Sequence, residues 1–229
     1  MARESIKKRH TTSKIHCLTD LEAIQTLGFR GEALASISSV ARLYLRSSID
    51  DSQQGWQLAA DYQQNTALTP ISHPKGTTVE VCDLFFNTPA RRKFLRKEQT
   101  EFSHIEEWVR RLALSHFSTA FTLQHNKRSI FTLPVAHSQT EKESRISVVC
   151  HRPFIENALY FEEESQTMRL CGWISLPTFS RSQMDLQYFY VNNRIVKDRL
   201  VNLCSKTSVS RCPVSGTTPG VHFIFNLKS

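Results

Sequence analysis

Long apolar runs, paired cysteines and disorder-promoting residues are all scarce in this chain of 229 residues. No stretch approaches the length of a membrane span, and no apolar core of the signal-peptide kind stands near the N-terminal end, which predicts a soluble, cytoplasmic protein. Six cysteines (17, 82, 150, 171, 204 and 212) form no Cys-x-x-Cys pair and no regular frame. That spacing argues against a disulfide scaffold and suits reduced thiols. His10 and His16 lie beside Cys17, but no second ligand pair follows, so no metal site is expected. Only 7 glycines and 8 prolines argue against low complexity, and 40% apolar residues suffice for a real core. Acidic residues are also in deficit: 29 Lys and Arg against 21 Asp and Glu give a net charge of +8. A basic balance of this size favours an anionic partner such as a DNA backbone.

Periodicity predicts an α+β chain. A short helix is expected over 19–26, with Leu21 and Ile24 buried, and a strand over 41–46, with Leu43 and Leu45 inward. Residues 77–82 are rich in β-branched side chains and predict another strand. The clearest helix is 101–116, where Phe102, Ile105, Val109, Leu112 and Ala113 make an apolar stripe opposite Glu106, Glu107 and Arg110. Strands at 120–123 and 129–133 flank His125-Asn126-Lys127-Arg128, a hairpin signal. The polar stretch 136–144 lacks apolar periodicity and follows Pro134, predicting a linker between a domain at 1–135 and a second at 145–229. Within the second, strands are expected over 170–174, 186–191 and 221–225, and a short helix over 197–204. Residues 207–214 resist helix, because Thr, Ser and Val disfavour it and Pro213 breaks it.

The most informative stretch is Leu27-Gly28-Phe29-Arg30-Gly31-Glu32-Ala33-Leu34, which runs into Ala35-Ser36-Ile37-Ser38-Ser39-Val40. Leu34, Ile37 and Val40 fall on one face at helical spacing. A glycine loop opening a helix presents backbone N–H groups and the positive end of the helix dipole, a seat for phosphate or simply a tight turn. Arg30 and the cluster Thr12-Ser13-Lys14 add cation and hydroxyl groups, although a Thr-Ser run equally caps helices. Glu32 is expected in the first helical turn, where a carboxylate complements the dipole.

These letters, LGFRGEALASISSV, closely resemble the ATP lid of the MutL family of DNA mismatch repair ATPases. A second block, Gly76-Thr77-Thr78-Val79-Glu80-Val81 through Asp83-Leu84-Phe85-Phe86-Asn87-Thr88-Pro89-Ala90-Arg91-Arg92-Lys93-Phe94-Leu95, is similar to the same family's next motif. A third, Tyr190-Val191-Asn192-Asn193-Arg194 with Asp198-Arg199-Leu200, resembles its second-domain signature. Asn193 stands where the family usually has Gly. The resemblance fades after about Lys206.

What this resemblance implies is a partial GHKL-type ATPase α/β sandwich, followed by a partial ribosomal-protein-like β-α-β domain. It assigns Thr12, Ser13, Lys14, Gly28, Phe29, Arg30, Gly31, Glu32, Ala33, Leu34 and Thr77 to ATP binding, and Arg194 and Arg199 to DNA. Family cofactors are ATP and magnesium. Implied partners are DNA, the mismatch-recognition protein MutS, a repair endonuclease or helicase, and a second copy of the chain. The family's Glu-x-x-x-Asn, which activates water and holds magnesium, and its Asp-x-Gly-x-Gly, which reads adenine, do not occur in this sequence. The expectation is therefore an internal piece of such a protein, with no ATP turnover alone. A DNA- or partner-binding remnant and a decayed gene product are the competing readings.

Overall fold

The computed structural model describes residues 27–28, 30–60, 67–166, 168–176, 180–181, 187–196, 218–219 and 221–227. The helices expected at 19–26 and 197–204, and the helix-resistant stretch 207–214, lie outside them. Contacts divide the chain into two compact units, Met1–Arg96 and Lys97–Ser229.

In the first unit, helix α1 (Ala33–Ser38) is followed by strands β1 (Arg42–Ser48), β2 (Gln54–Ala60), β3 (Ala67–Ser72) and β4 (Gly76–Cys82), then by the short helix α2 (Pro89–Arg92). The strands form an antiparallel sheet in the order β3-β2-β1-β4. Side chains alternate across a strand and paired residues share a face, so register decides what meets α1. Leu58, Leu45 and Val79 make one cross-strand row, and Ala60, Leu43 and Val81 the next. Leu34 and Ile37 of α1 pack over Leu43, Leu58 and Ala60, as their helical spacing predicts. Gly55 permits a close crossing: a Cβ there would sit 2.8 Å from the Ser47 carbonyl oxygen.

The second unit opens with α3 (Glu98–Ser115) and the hairpin of β5 (Phe121–His125) and β6 (Arg128–Leu133). Its turn is Asn126-Lys127, both at positive φ (47° and 65°), the type I′ geometry whose twist matches the flanking strands. Then come α4 (Gln139–Cys150), α5 (Arg152–Glu156), β7 (Ala158–Glu164), β8 (Met168–Ser175), β9 (Ser180–Arg181), β10 (Gln187–Val191), β11 (Arg194–Ile195), β12 (Thr218–Pro219) and β13 (Val221–Leu227). Five of them form a sheet in the order β11-β10-β13-β8-β7, in which β10 and β13 run parallel. The core gathers Leu114, Leu133, Ile146, Phe154, Trp173 and Tyr190 from the three helices, the hairpin and the sheet.

Two expectations need correction. The stretch 136–144, expected to be a linker, enters a helix: α4 begins at Gln139 and is closed by a capping box. The Ser138 hydroxyl accepts the Glu141 N–H, and the Glu141 carboxylate accepts the Ser138 N–H, so two orphan donors are satisfied reciprocally. The stripe on α3 is also rotated. Ile105 is exposed, while Glu106 and Arg110, expected on the solvent side, are half-buried. Arg110 holds Glu106 at 2.7 Å and donates to the Val148 and Val149 carbonyls at the C-terminal end of α4. Its guanidinium satisfies carbonyls that end the helix, and its stem lies along apolar surface.

Candidate functional site

The glycine loop enters α1 as the spacing requires. Gly31 has φ of 63°, a left-handed conformation that favours glycine, and Gly28 is exposed with open space where a side chain would point. Arg30 is exposed beside them. Glu32 lies one position earlier than expected. It is the N-cap residue, outside the first turn, and its carbonyl accepts the Ser36 N–H at 2.9 Å. Ala33 begins the helix, and Leu34 is a packing residue over the sheet. Thr12, Ser13, Lys14 and Phe29 lie outside the described residues.

Thr77 is the second residue of β4, directly opposite Ser47 of β1, and their hydroxyls are 2.9 Å apart. Ser47 Oγ also bonds the Gly76 carbonyl at 3.1 Å. Gly76 itself has φ of 130°, which only glycine adopts without strain. By register Thr77, Ser47 and Trp56 share the face carrying Leu43 and Leu45, the face on which α1 packs. Helix α1, which the loop opens, and Thr77 are thus on one side of one sheet. This arrangement offers backbone amides, a cation and a hydroxyl, groups that suit a polyanion. Among the described residues no three of His, Cys, Asp and Glu converge on a common point.

The second motif runs on into an anchor that sequence reasoning did not foresee. Between β4 and α2 the backbone turns sharply, with Asp83 at φ of 53° and Phe85 at 63°. Left-handed geometry is uncommon for non-glycine residues and strained for a bulky aromatic one. The turn is held to α1 and β1: Phe85 N–H donates to the Val40 carbonyl at 2.7 Å, and Asn87 Nδ2 donates to the Ser39 carbonyl at 2.9 Å. Arg42 pairs with Asp83 at 2.6 Å and lies over the Phe86 ring. From this turn the chain enters α2, where Arg91, Arg92 and Lys93 are all exposed.

In the second unit, Asn192 and Asn193 (φ of 49° and 61°) turn the β10–β11 hairpin, which explains why Asn substitutes for Gly there. Arg194 opens β11, half-buried. Arg199 lies outside the described residues.

Comparison with known proteins decides between the families that share such a sheet. MutL from Cellvibrio japonicus is 58% identical over 195 residues, 85% of this chain. The chain belongs to the MutL family. Residues 146–228 match the family model for the C-terminal domain of DNA mismatch repair proteins. Among solved structures, the Aquifex aeolicus MutL ATPase domain complexed with ADP superposes with a TM-score of 0.67 at 27% identity, covering 93% of this chain and 76% of that one. The N-terminal domain of a DNA repair protein superposes with a TM-score of 0.75 at 25% identity, covering 96% and 69%. The GHKL ATPase fold expected from the lid motif is therefore present. The chain spans about a third (31%) of the length of the curated MutL relative from Cellvibrio. No helix among the described residues is long and apolar enough to cross a membrane.

Proposed function

We propose that this MutL-family chain serves DNA mismatch repair by binding an adenine nucleotide at the lid loop and DNA at its basic surfaces. Gly28 and Gly31 let the backbone approach the phosphates, Arg30 contributes charge, and Thr77 lies on the sheet face that packs the lid helix. Glu32, Ala33 and Leu34 set the start of the lid helix; Thr12, Ser13, Lys14 and Phe29 complete the set by family resemblance. Nucleotide binding, rather than turnover, is the activity these residues support. When bound, ATP with magnesium supplies the family's switch between open and clamped states; this chain's own residues grip and orient the phosphates. The observation that carries the reading is the lid helix and Thr77 sharing one sheet face in a chain 58% identical over 195 residues to a MutL protein.

Arg194 and Arg199 are assigned to DNA on the same resemblance. MutS, a repair endonuclease or helicase, and a second copy of the chain are the proposed partners. Free thiols at Cys82 and Cys171 suit a reducing cytoplasm. The test is photo-crosslinking of an azido-adenine nucleotide, mapped by mass spectrometry. Labelled peptides covering 27–34 or 76–82, suppressed by excess ADP, support the assignment. Labelling spread over the second unit and insensitive to ADP refutes it. A non-enzymatic DNA-binding role is favoured by the exposed Arg91, Arg92 and Lys93 of α2. It requires retention of duplex DNA that weakens steeply with salt.

A further inference from the structure

We propose that Asn87 is a positioning residue that ties the lid helix α1 to the basic helix α2, so that an anion held at α2 is felt at the lid. This inference rests on the nucleotide and DNA assignments above for its purpose, but its geometry stands without them. Helix α1 has six residues, and no side chain caps its N-terminal end. A helix this short is not stable by itself, so its position is set by what it touches. One side is packed, through Leu34 and Ile37, on the sheet. Its C-terminal end is held by hydrogen bonds, from Asn87 Nδ2 to the Ser39 carbonyl and from Phe85 N–H to the Val40 carbonyl. Both donors come from the turn that leads into α2.

That turn is built to hold one geometry. Asp83 and Phe85 occupy left-handed conformations, and the Arg42–Asp83 pair and the Arg42 contact over Phe86 brace its ends. Strained backbone persists only where surrounding contacts over-determine it. The Asn87 Oδ1 and Thr88 Oγ1 atoms are buried and have no hydrogen-bond partner among the described residues. Buried oxygens without partners favour small rearrangements that would satisfy them. One side-chain amide thus connects the end of the lid helix to a turn two residues before Pro89, the first residue of α2. Arg91 and Arg92 on that helix and Lys93 at its C-cap are exposed and open to a polyanion. A shift of α2 on binding phosphate oxygens reaches Ser39 through Asn87, and by linkage a shift of the lid helix reaches α2 with the same coupling energy.

The test is amide hydrogen exchange on the whole chain, with and without a 20-base-pair DNA duplex, for the wild type, Asn87→Ala and the near-isosteric Asn87→Asp, which removes the donor. Without DNA, both variants are expected to speed exchange of the Ser36 and Ser39 amides about tenfold, a local opening roughly 1.4 kcal/mol easier. Amides of α3 should be unchanged, which separates a lost latch from general unfolding. With DNA, exchange across 33–40 slows in the wild type and does not slow in either variant, although both variants retain DNA within about twofold of wild type. Unchanged α1 exchange in both variants overturns the latch. A DNA response that survives both substitutions places the linkage elsewhere and overturns it too. If the wild type fails to retain the duplex, the DNA reading under the proposed function fails, and with it the coupling to α2; the DNA-free arm then decides the positioning role of Asn87 alone.

Discussion

Replacing Arg145 should destabilise the second unit more than any surface change. Its side chain is 3% exposed, and its guanidinium donates only to backbone carbonyls: Nη1 to Ala113 and His116 at 3.1 and 3.0 Å, Nη2 to Thr119 at 3.0 Å and to Pro134. The Phe117 ring lies 5.6 Å beneath the cation. Four carbonyls from the end of α3, the following loop and the end of β6 thus converge on one planar fork. Burial pushes the pKa of this guanidinium below its ordinary value. Hydrogen bonds to a charged group contribute about 1.5–3 kcal/mol each, so four are worth roughly 6–12 kcal/mol before desolvation. Burying the charge costs several kcal/mol, which leaves a net contribution of about 3–5 kcal/mol. Arg145→Met removes the charge but strands four carbonyls, and an expected loss of about 3 kcal/mol is a large share of a domain's stability. Arg145→Lys keeps the charge at a single point that cannot reach all four oxygens, so it should fall between. Urea unfolding followed by tryptophan fluorescence reads the difference, since Trp173 lies in the same core. A change below about 0.5 kcal/mol for Arg145→Met, the size of an ordinary surface substitution, would refute the claim that this fork holds helix and hairpin together.

Other outcomes follow from single contacts. Gly55→Ala places a Cβ against the backbone oxygen of Ser47, so it should cost about 1–3 kcal/mol, while Gly28→Ala meets open space and should be much milder. Ser138→Ala should lose about 1 kcal/mol of α4 stability as its cap is removed, measured by thermal unfolding. For its partner, the Ser138 N–H and then the His137 N–H hold the Glu141 carboxyl below its ordinary value of 4.5. A depressed folded pKa contributes stability above about pH 4.5 that is lost as pH falls through the folded value. Wild type should therefore exceed Glu141→Ala at pH 7, and the gap should narrow below pH 4.5; a gap constant with pH would contradict the capping box.

The sequence made some elements visible and hid others for physical reasons. Leu43 and Leu45 alternate cleanly, so β1 was legible, and β4 followed from its β-branched residues. Strand β2 was not, because Gln54, Gly55 and Gln57 break the pattern and Gly55 is there to let Ser47 approach. Helix α4 was mistaken for a linker because one of its buried positions is the cation Arg145, which no apolar periodicity reveals. A usable signal did exist: Ser138-Gln139-Thr140-Glu141 has the capping-box spacing. On α3, apolar letters placed Ile105 inside and Arg110 outside, whereas Arg110 turns inward to reach the carbonyls of a helix distant in sequence. At the candidate site, the lid loop and Thr77 were legible as strings. The sheet face shared by the lid helix and Thr77 came only with strand register. The Asn87–Ser39 bond spans 48 residues and depends on two left-handed residues, Asp83 and Phe85, that nothing local demands.

Calorimetric titration of ADP into the 229-residue chain, beside Gly31→Val, tests the central claim most directly. Gly31 is exposed to strain by any side chain at its φ of 63°, a cost of about 1–2 kcal/mol that falls on the loop itself. The account predicts saturable binding to the wild type, weakened at least about tenfold in Gly31→Val, with thermal unfolding of the second unit unchanged. Equal ADP affinity in the two proteins, or no binding by a folded wild-type chain, would contradict it.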